Sequence, residues 1–185
     1  MAFYVRKIAR AKWSLLDPSS PDTIENYRAD TIANDLRTTN DTLSFWKSES
    51  LDQDALEPII VINSLLGSNI RTINLLCVPD TLMTEFDLKQ EDGDTILHEY
   101  CGLHHNVISL SVGRLIDFAS CVVLKTLASA STEQSLVKQI RAQDQLKTLI
   151  EWLDSGKLDY DELNEGQQKD IDRYREKLKK LDVRV

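Results

Sequence analysis

Glycine and proline are scarce in this 185-residue chain, with six and four copies. Turn-rich all-β sandwiches and long unstructured linkers need more of both, so neither is expected. Cysteine is rarer still: Cys77, Cys101 and Cys121 stand far apart, in or beside apolar runs, with no CxxC pair. An odd, sparse set of this kind reads as reduced core thiols of an intracellular protein rather than a disulfide framework.

Several templates of chemistry are also missing. There is no GxGxxG, no GxxxxGKS or GxxxxGKT and no GxSxG, so neither the phosphate-cradling loops nor the nucleophile elbow is signalled. Asp92-Gly93-Asp94 is too short for an EF-hand loop and lacks its spaced oxygen ligands. The opening Met-Ala-Phe-Tyr-Val-Arg-Lys has no apolar core or cleavage site of a secretory leader. The one long apolar run, Asn106 to Leu124, carries Arg114 and Asp117 at its centre, which argues against a membrane span. Cytoplasm is the expected compartment, with no membrane association.

What the chain does hold is an ordinary globular composition, 42% apolar and 28% charged, at a length that supports a real core. The net charge of −8 is unevenly spread. Residues 1–12 carry Arg6, Lys7, Arg10 and Lys12 without an acid, whereas residues 48–103 set eleven acids against Arg71 and Lys89. Generic nucleic-acid binding needs a basic field and is disfavoured by that total.

Periodicity suggests the architecture. Phe3 to Trp13 alternates with period two, so a strand is expected, with Phe3, Val5 and Ala9 inward and Tyr4, Arg6, Arg10 and Lys12 outward. Ser20 and Pro21 open a helical stripe through Ile24, Tyr27, Ile32 and Leu36. Thr42 to Lys47 and Thr72 to Val78 read as further strands. Leu51 to Gly67 carries both signals: a helical face ending at a capping glycine, and the β-branched run Ile59–Ile62 behind Pro58. Helix is the preferred reading. Residues 80–95, rich in Asp, Glu and Gly, read as a loop. Beyond them the pattern is helical: His104 to Ala128 as a nearly enclosed central helix, then a helix from the Ser131/Gln134 capping box through Leu136, Ile140 and Leu153 to Gly156. An Asn164/Gln167 box opens the last helix. The expected fold is α+β: a small sheet of about three strands in the N-terminal half, packed on helices, and an all-helical C-terminal half ending in a helical hairpin. Residues 1–128 would form the body and 129–185 the hairpin, together one domain.

Four sets of residues invite a functional reading. All three histidines fall within His98-Glu99-Tyr100-Cys101-Gly102-Leu103-His104-His105. His98, Cys101, His104 and His105 could ligate a metal, with Glu99 as the acid–base group of a hydrolase. The spacing matches no zinc motif, however, and a junction between two helices with exposed imidazoles is the preferred reading. Arg6, Arg10 and Lys12 could grip phosphate, but self-neutralisation or an acidic partner fits the charge better. Arg114 and Asp117, three apart, read as an ion-paired strap. On the hairpin, Tyr160, Leu163, Ile171, Tyr174 and Leu178 must be covered by the body or by a second subunit. No cofactor is called for. The function expected is protein–protein interaction, as a regulator, adaptor or inhibitor of the antitoxin or immunity kind, with a protein partner or self-association. The rivals are a metal-dependent hydrolase at the histidine cluster and nucleic-acid contact through the basic strand.

Overall fold

Strands form where apolar side chains alternate or run unbroken beside β-branched residues: β1 (Phe3–Ile8), β2 (Leu43–Ser48) and β3 (Ile73–Pro79). The computed structural model describes residues 1–9, 35, 36, 38, 42–86, 89–93, 95, 97–108, 110–128 and 136–182. The expected helical stripe over 21–34 and the Ser131/Gln134 cap lie outside them. The contacts divide the chain into two units, residues 1–55 with 74–139, and residues 56–73 with 140–185.

The first unit is built on a sheet in the order β4-β5-β2-β1-β3-β6, where β4 is Lys89–Asp92, β5 His104–Ile108 and β6 Val137–Ile140. From β4 to β3 every pairing is antiparallel, with Val5 opposite both Trp46 and Cys77, Trp46 opposite His104, and Asp92 opposite His105. Five antiparallel strands with a short sixth at the edge replace the expected sheet of about three. The α+β class stands, but the C-terminal half is not all-helical, because β5 and β6 both lie in it.

Three stretches account for the difference. Residues 80–95 fold into helix α2 (Asp80–Glu85) and β4 rather than a loop. His104 to Ala128 is not one helix. It divides into β5 and helix α3 (Val112–Ala128), preceded by a 3₁₀ turn over His98–Leu103. Helix and strand compete closely in short apolar runs, and pairing with β2 and β4 decides for strand in His104–Ile108. The same holds for β6, whose Val137 and Ile140 fit a helical face as well as a strand.

One face of the sheet carries Tyr4, Ile8, Leu43, Phe45, Leu76, Val78 and Val107. It forms a core with Leu82 and Met83 of α2 and with Phe118, Ala119 and Val122 of α3. Phe45 sits edge-on to both Tyr4 and Phe118 at 6.3 and 6.2 Å. Buried aromatics in this T-shaped geometry add to the roughly 1.5–3 kcal/mol of each large side chain removed from water. The opposite face is apolar too, since Val5, Leu75 and Cys77 are fully buried.

The second unit holds most of helix α1 (Gln53–Leu65), helix α4 (Ala142–Asp154) and helix α5 (Glu165–Asp182). Leu51–Gly67 therefore resolves as helix, with Pro58 in its second turn and every residue from Ile59 to Ser64 buried. Its polar members are bonded: the Asn63 Nδ2 donates to Ile59 O and the Ser64 hydroxyl to Ile60 O within the helix, and the same hydroxyl reaches Gln145 Oε1 on α4. Gly156, at φ +73°, ends α4 in the left-handed conformation a glycine accepts most easily. The Asn164/Gln167 box opens α5 as expected: Asn164 Oδ1 accepts from the Gly166 and Gln167 N–H groups, and Gln167 Oε1 from the Asn164 N–H. The other end of the same carboxamide, Gln167 Nε2, donates to the carbonyls of Ser64, Leu65 and Gly67, so one side chain caps two helices.

Candidate functional site

The histidine cluster lies on the 3₁₀ turn and β5, and strand geometry governs what it can do. Successive residues of a strand point to opposite faces. His104 therefore stacks on the Trp46 ring at 4.6 Å, while His105 packs edge-on to Tyr4 at 5.9 Å on the other side of the sheet. Gly93 lies directly beneath the His104 imidazole, and its N–H donates to His104 O. His98 is exposed and Cys101 half-buried on the turn before the strand. Among the described residues, no group of three or more His, Cys, Asp or Glu side chains is placed to hold a metal ion. His104 and His105 begin a strand, not the helix expected after Gly102, and their rings pack against aromatic residues.

The basic strip divides. Arg6 is on the core-facing side of β1, between Tyr4 and Ile8. Its Nε donates to Asp35 O, its Nη1 donates to Ser44 O at 2.6 Å, and its guanidinium lies 6.0 Å from the Phe45 ring centre. Asp35 is buried, and its carboxylate accepts the Ala9 N–H at 2.9 Å. Burial pulls the Arg6 guanidinium below its usual value, and the Asp35 charge opposes that shift. The side of β1 expected to face outward thus belongs to the core. Lys7 is the exposed base of the strand, and Arg10 and Lys12 lie outside the described residues.

Arg114 and Asp117 are both exposed, and Arg114 donates through Nη2 to the Phe86 carbonyl at 3.1 Å rather than strapping the helix to itself. Among the described side chains of helix α3, Phe118, Ala119 and Val122 are buried. Val112 and Ile116, one turn apart at the start of α3, are 76% and 49% exposed. Sequence reading missed this pair because α3 is apolar around so much of its circumference. The signal was Gly113, Asp117 and Ser120, whose 4-and-3 spacing draws the outward stripe on which Ile116 sits.

Of the hairpin residues, Leu163, Ile171 and Tyr174 are buried within this chain, and Leu178 remains 39% exposed. The half-buried Tyr160 donates its hydroxyl to Asp172 Oδ2 at 3.0 Å. The second subunit that would be needed to cover the first three is therefore not required by them. Cys77 is buried on β3, where burial pushes its thiol up to about 12, with Lys138 acting in the opposite direction.

No protein-family model, curated protein or solved structure matches the chain. No helix among the described residues is long and apolar enough to cross a membrane. What the geometry offers is an exposed apolar pair, Val112 and Ile116, on α3.

Proposed function

We propose that this protein acts by binding another protein, as a regulator, adaptor or inhibitor, in a reducing cytoplasmic setting. The observation that carries the reading is the exposed Val112–Ile116 pair on α3. Large apolar side chains standing together in water, one helical turn apart, have the composition of the apolar centre of a protein contact. The cytoplasmic part of the reading rests on the odd, sparse set of three cysteines and on the burial of Cys77 in the core.

Burying each of these side chains in a complex is worth about 1.5–3 kcal/mol, and about 1.4 kcal/mol is tenfold in affinity. The Val112→Asp/Ile116→Asp double variant should therefore lose at least about tenfold of its bound partner. Tagged wild type and double variant, expressed at native level in the source cell, would be purified and their co-purifying proteins quantified by mass spectrometry. The expected result is one protein near stoichiometric with the wild type and depleted from the variant, whose thermal melt is unchanged. Identical recoveries from both, or no near-stoichiometric protein, would reject the reading.

A further inference from the structure

The last helix carries a second surface of different chemistry. Lys169, Arg173, Lys177 and Lys180 follow one another at spacings of four, four and three along α5. At 100° per residue they fall within a sector of about 80°, and at 1.5 Å rise they span about 16 Å. All four are exposed, whereas Gln167, Ile171 and Tyr174 on the other side of the helix are buried. The row is thus the outward ridge of α5.

Its charge is only partly matched inside the chain. Lys169 and Arg173 approach Glu165 and Asp170 at 3.8 and 3.9 Å, at the outer limit of an ion pair. Arg175, off the ridge, is held by Asp154. Among the described residues no carboxylate lies within ion-pair distance of Lys177, Lys179 or Lys180. From Arg173 to the end of α5 at Asp182, five bases stand against Glu176 and Asp182.

We infer that the ridge Lys169–Arg173–Lys177–Lys180 is a contact surface for the phosphate backbone of duplex nucleic acid. The row holds no aromatic or aliphatic anchor, and that absence decides which polyanion it fits. Against an acidic protein, exposed ion pairs return only about 0.2–1 kcal/mol each, and a protein interface needs an apolar centre to hold it. Against a duplex the same cations displace condensed counterions, so a purely cationic row gains affinity without any apolar contact. The net charge of −8 opposes a wide electrostatic embrace and confines contact to this one ridge. The contact is to the phosphate backbone, which positions a protein on a duplex without carrying sequence information.

The test is fluorescence anisotropy of the full chain with a labelled DNA duplex of mixed sequence. Four phosphate contacts predict a slope of log K against log salt of about −3.6, so affinity falls about 50-fold between about 50 and 150 mM salt. The Arg173→Gln/Lys177→Gln/Lys180→Gln variant keeps good helix formers and should retain its circular-dichroism melt. Its slope should shrink to about −1, with binding lost at moderate salt. Arg71→Gln/Lys147→Gln, which removes two exposed bases off the ridge, should bind like the wild type. The inference is overturned by no saturable binding, or by binding that the triple variant leaves intact. It is equally overturned if labelled poly-glutamate binds as tightly with the same dependence on the ridge, which would assign the surface to an acidic protein. None of these outcomes bears on the α3 pair, which the duplex assay does not touch.

Discussion

Replacing Arg6 by methionine separates a structural base from a ligand-binding one. Methionine keeps an unbranched apolar stem over Phe45 and removes the guanidinium. Two hydrogen bonds go with it, to Asp35 O and to Ser44 O, each worth about 1.5–3 kcal/mol when the donor is charged. The Asp35 carboxylate, only 7% exposed, also loses the favourable charge of Arg6. Breaking a buried pair on one side costs about 3–5 kcal/mol. At about 2–4 °C per kcal/mol for a chain of this length, the melting temperature should fall by about 6–20 °C. Calorimetry or circular-dichroism melting reads the shift directly. Asp35→Asn and the Arg6→Met/Asp35→Asn double variant complete a cycle, and the double variant should lose at least about 1 kcal/mol less than the two single losses together. An exposed base waiting for phosphate would behave otherwise, because surface substitutions stay within about 0.5 kcal/mol. A loss under about 1 kcal/mol for Arg6→Met, or strict additivity in the cycle, would refute the structural assignment.

Two further outcomes follow from the same geometry. Cys77, with its thiol pushed up to about 12 by burial, should resist alkylation at pH 8 in the native protein while Cys101 and Cys121 react; peptide mass spectrometry after labelling reads this, and labelling of Cys77 at the rate of a denatured control would contradict its burial. Gly93→Ala would drive a methyl into the His104 ring and should cost about 1–3 kcal/mol, whereas Gly102→Ala meets open space and should be near neutral; equal melting temperatures for the two variants would show that Gly93 is not packed beneath His104.

The histidine cluster shows why a motif-like grouping can mislead. Eight neighbouring residues suggest a shared site only if the backbone turns their side chains toward one point. In β5 the pleat does the reverse: it sends His104 to Trp46 and His105 to Tyr4, across the thickness of the sheet. On β1 the error was one of face. Tyr4, Arg6 and Ile8 share the side that forms the core, and Arg6 can enter it because Asp35 and two carbonyl oxygens meet its charge. Neither partner is local, since Asp35 lies 29 residues away and Ser44 lies 38.

Local chemistry in the sequence by itself determined the α+β class, the helix over Gln53–Leu65 and the paired helices α4 and α5 with the Asn164/Gln167 cap. It also determined the strands β1 to β3, each to within a few residues. These follow from spacing, capping groups and β-branching, which act over one or two turns of chain. Only the tertiary structure decided that His104–Ile108 and Val137–Ile140 are strands, since short apolar runs take the conformation their neighbours can hydrogen-bond. It alone decided which face of β1 and α3 is buried, because burial depends on what packs there from elsewhere in the chain. The exposed Val112–Ile116 pair and the unmatched ridge of α5 arise in the same way: each residue was legible, but its exposure was not.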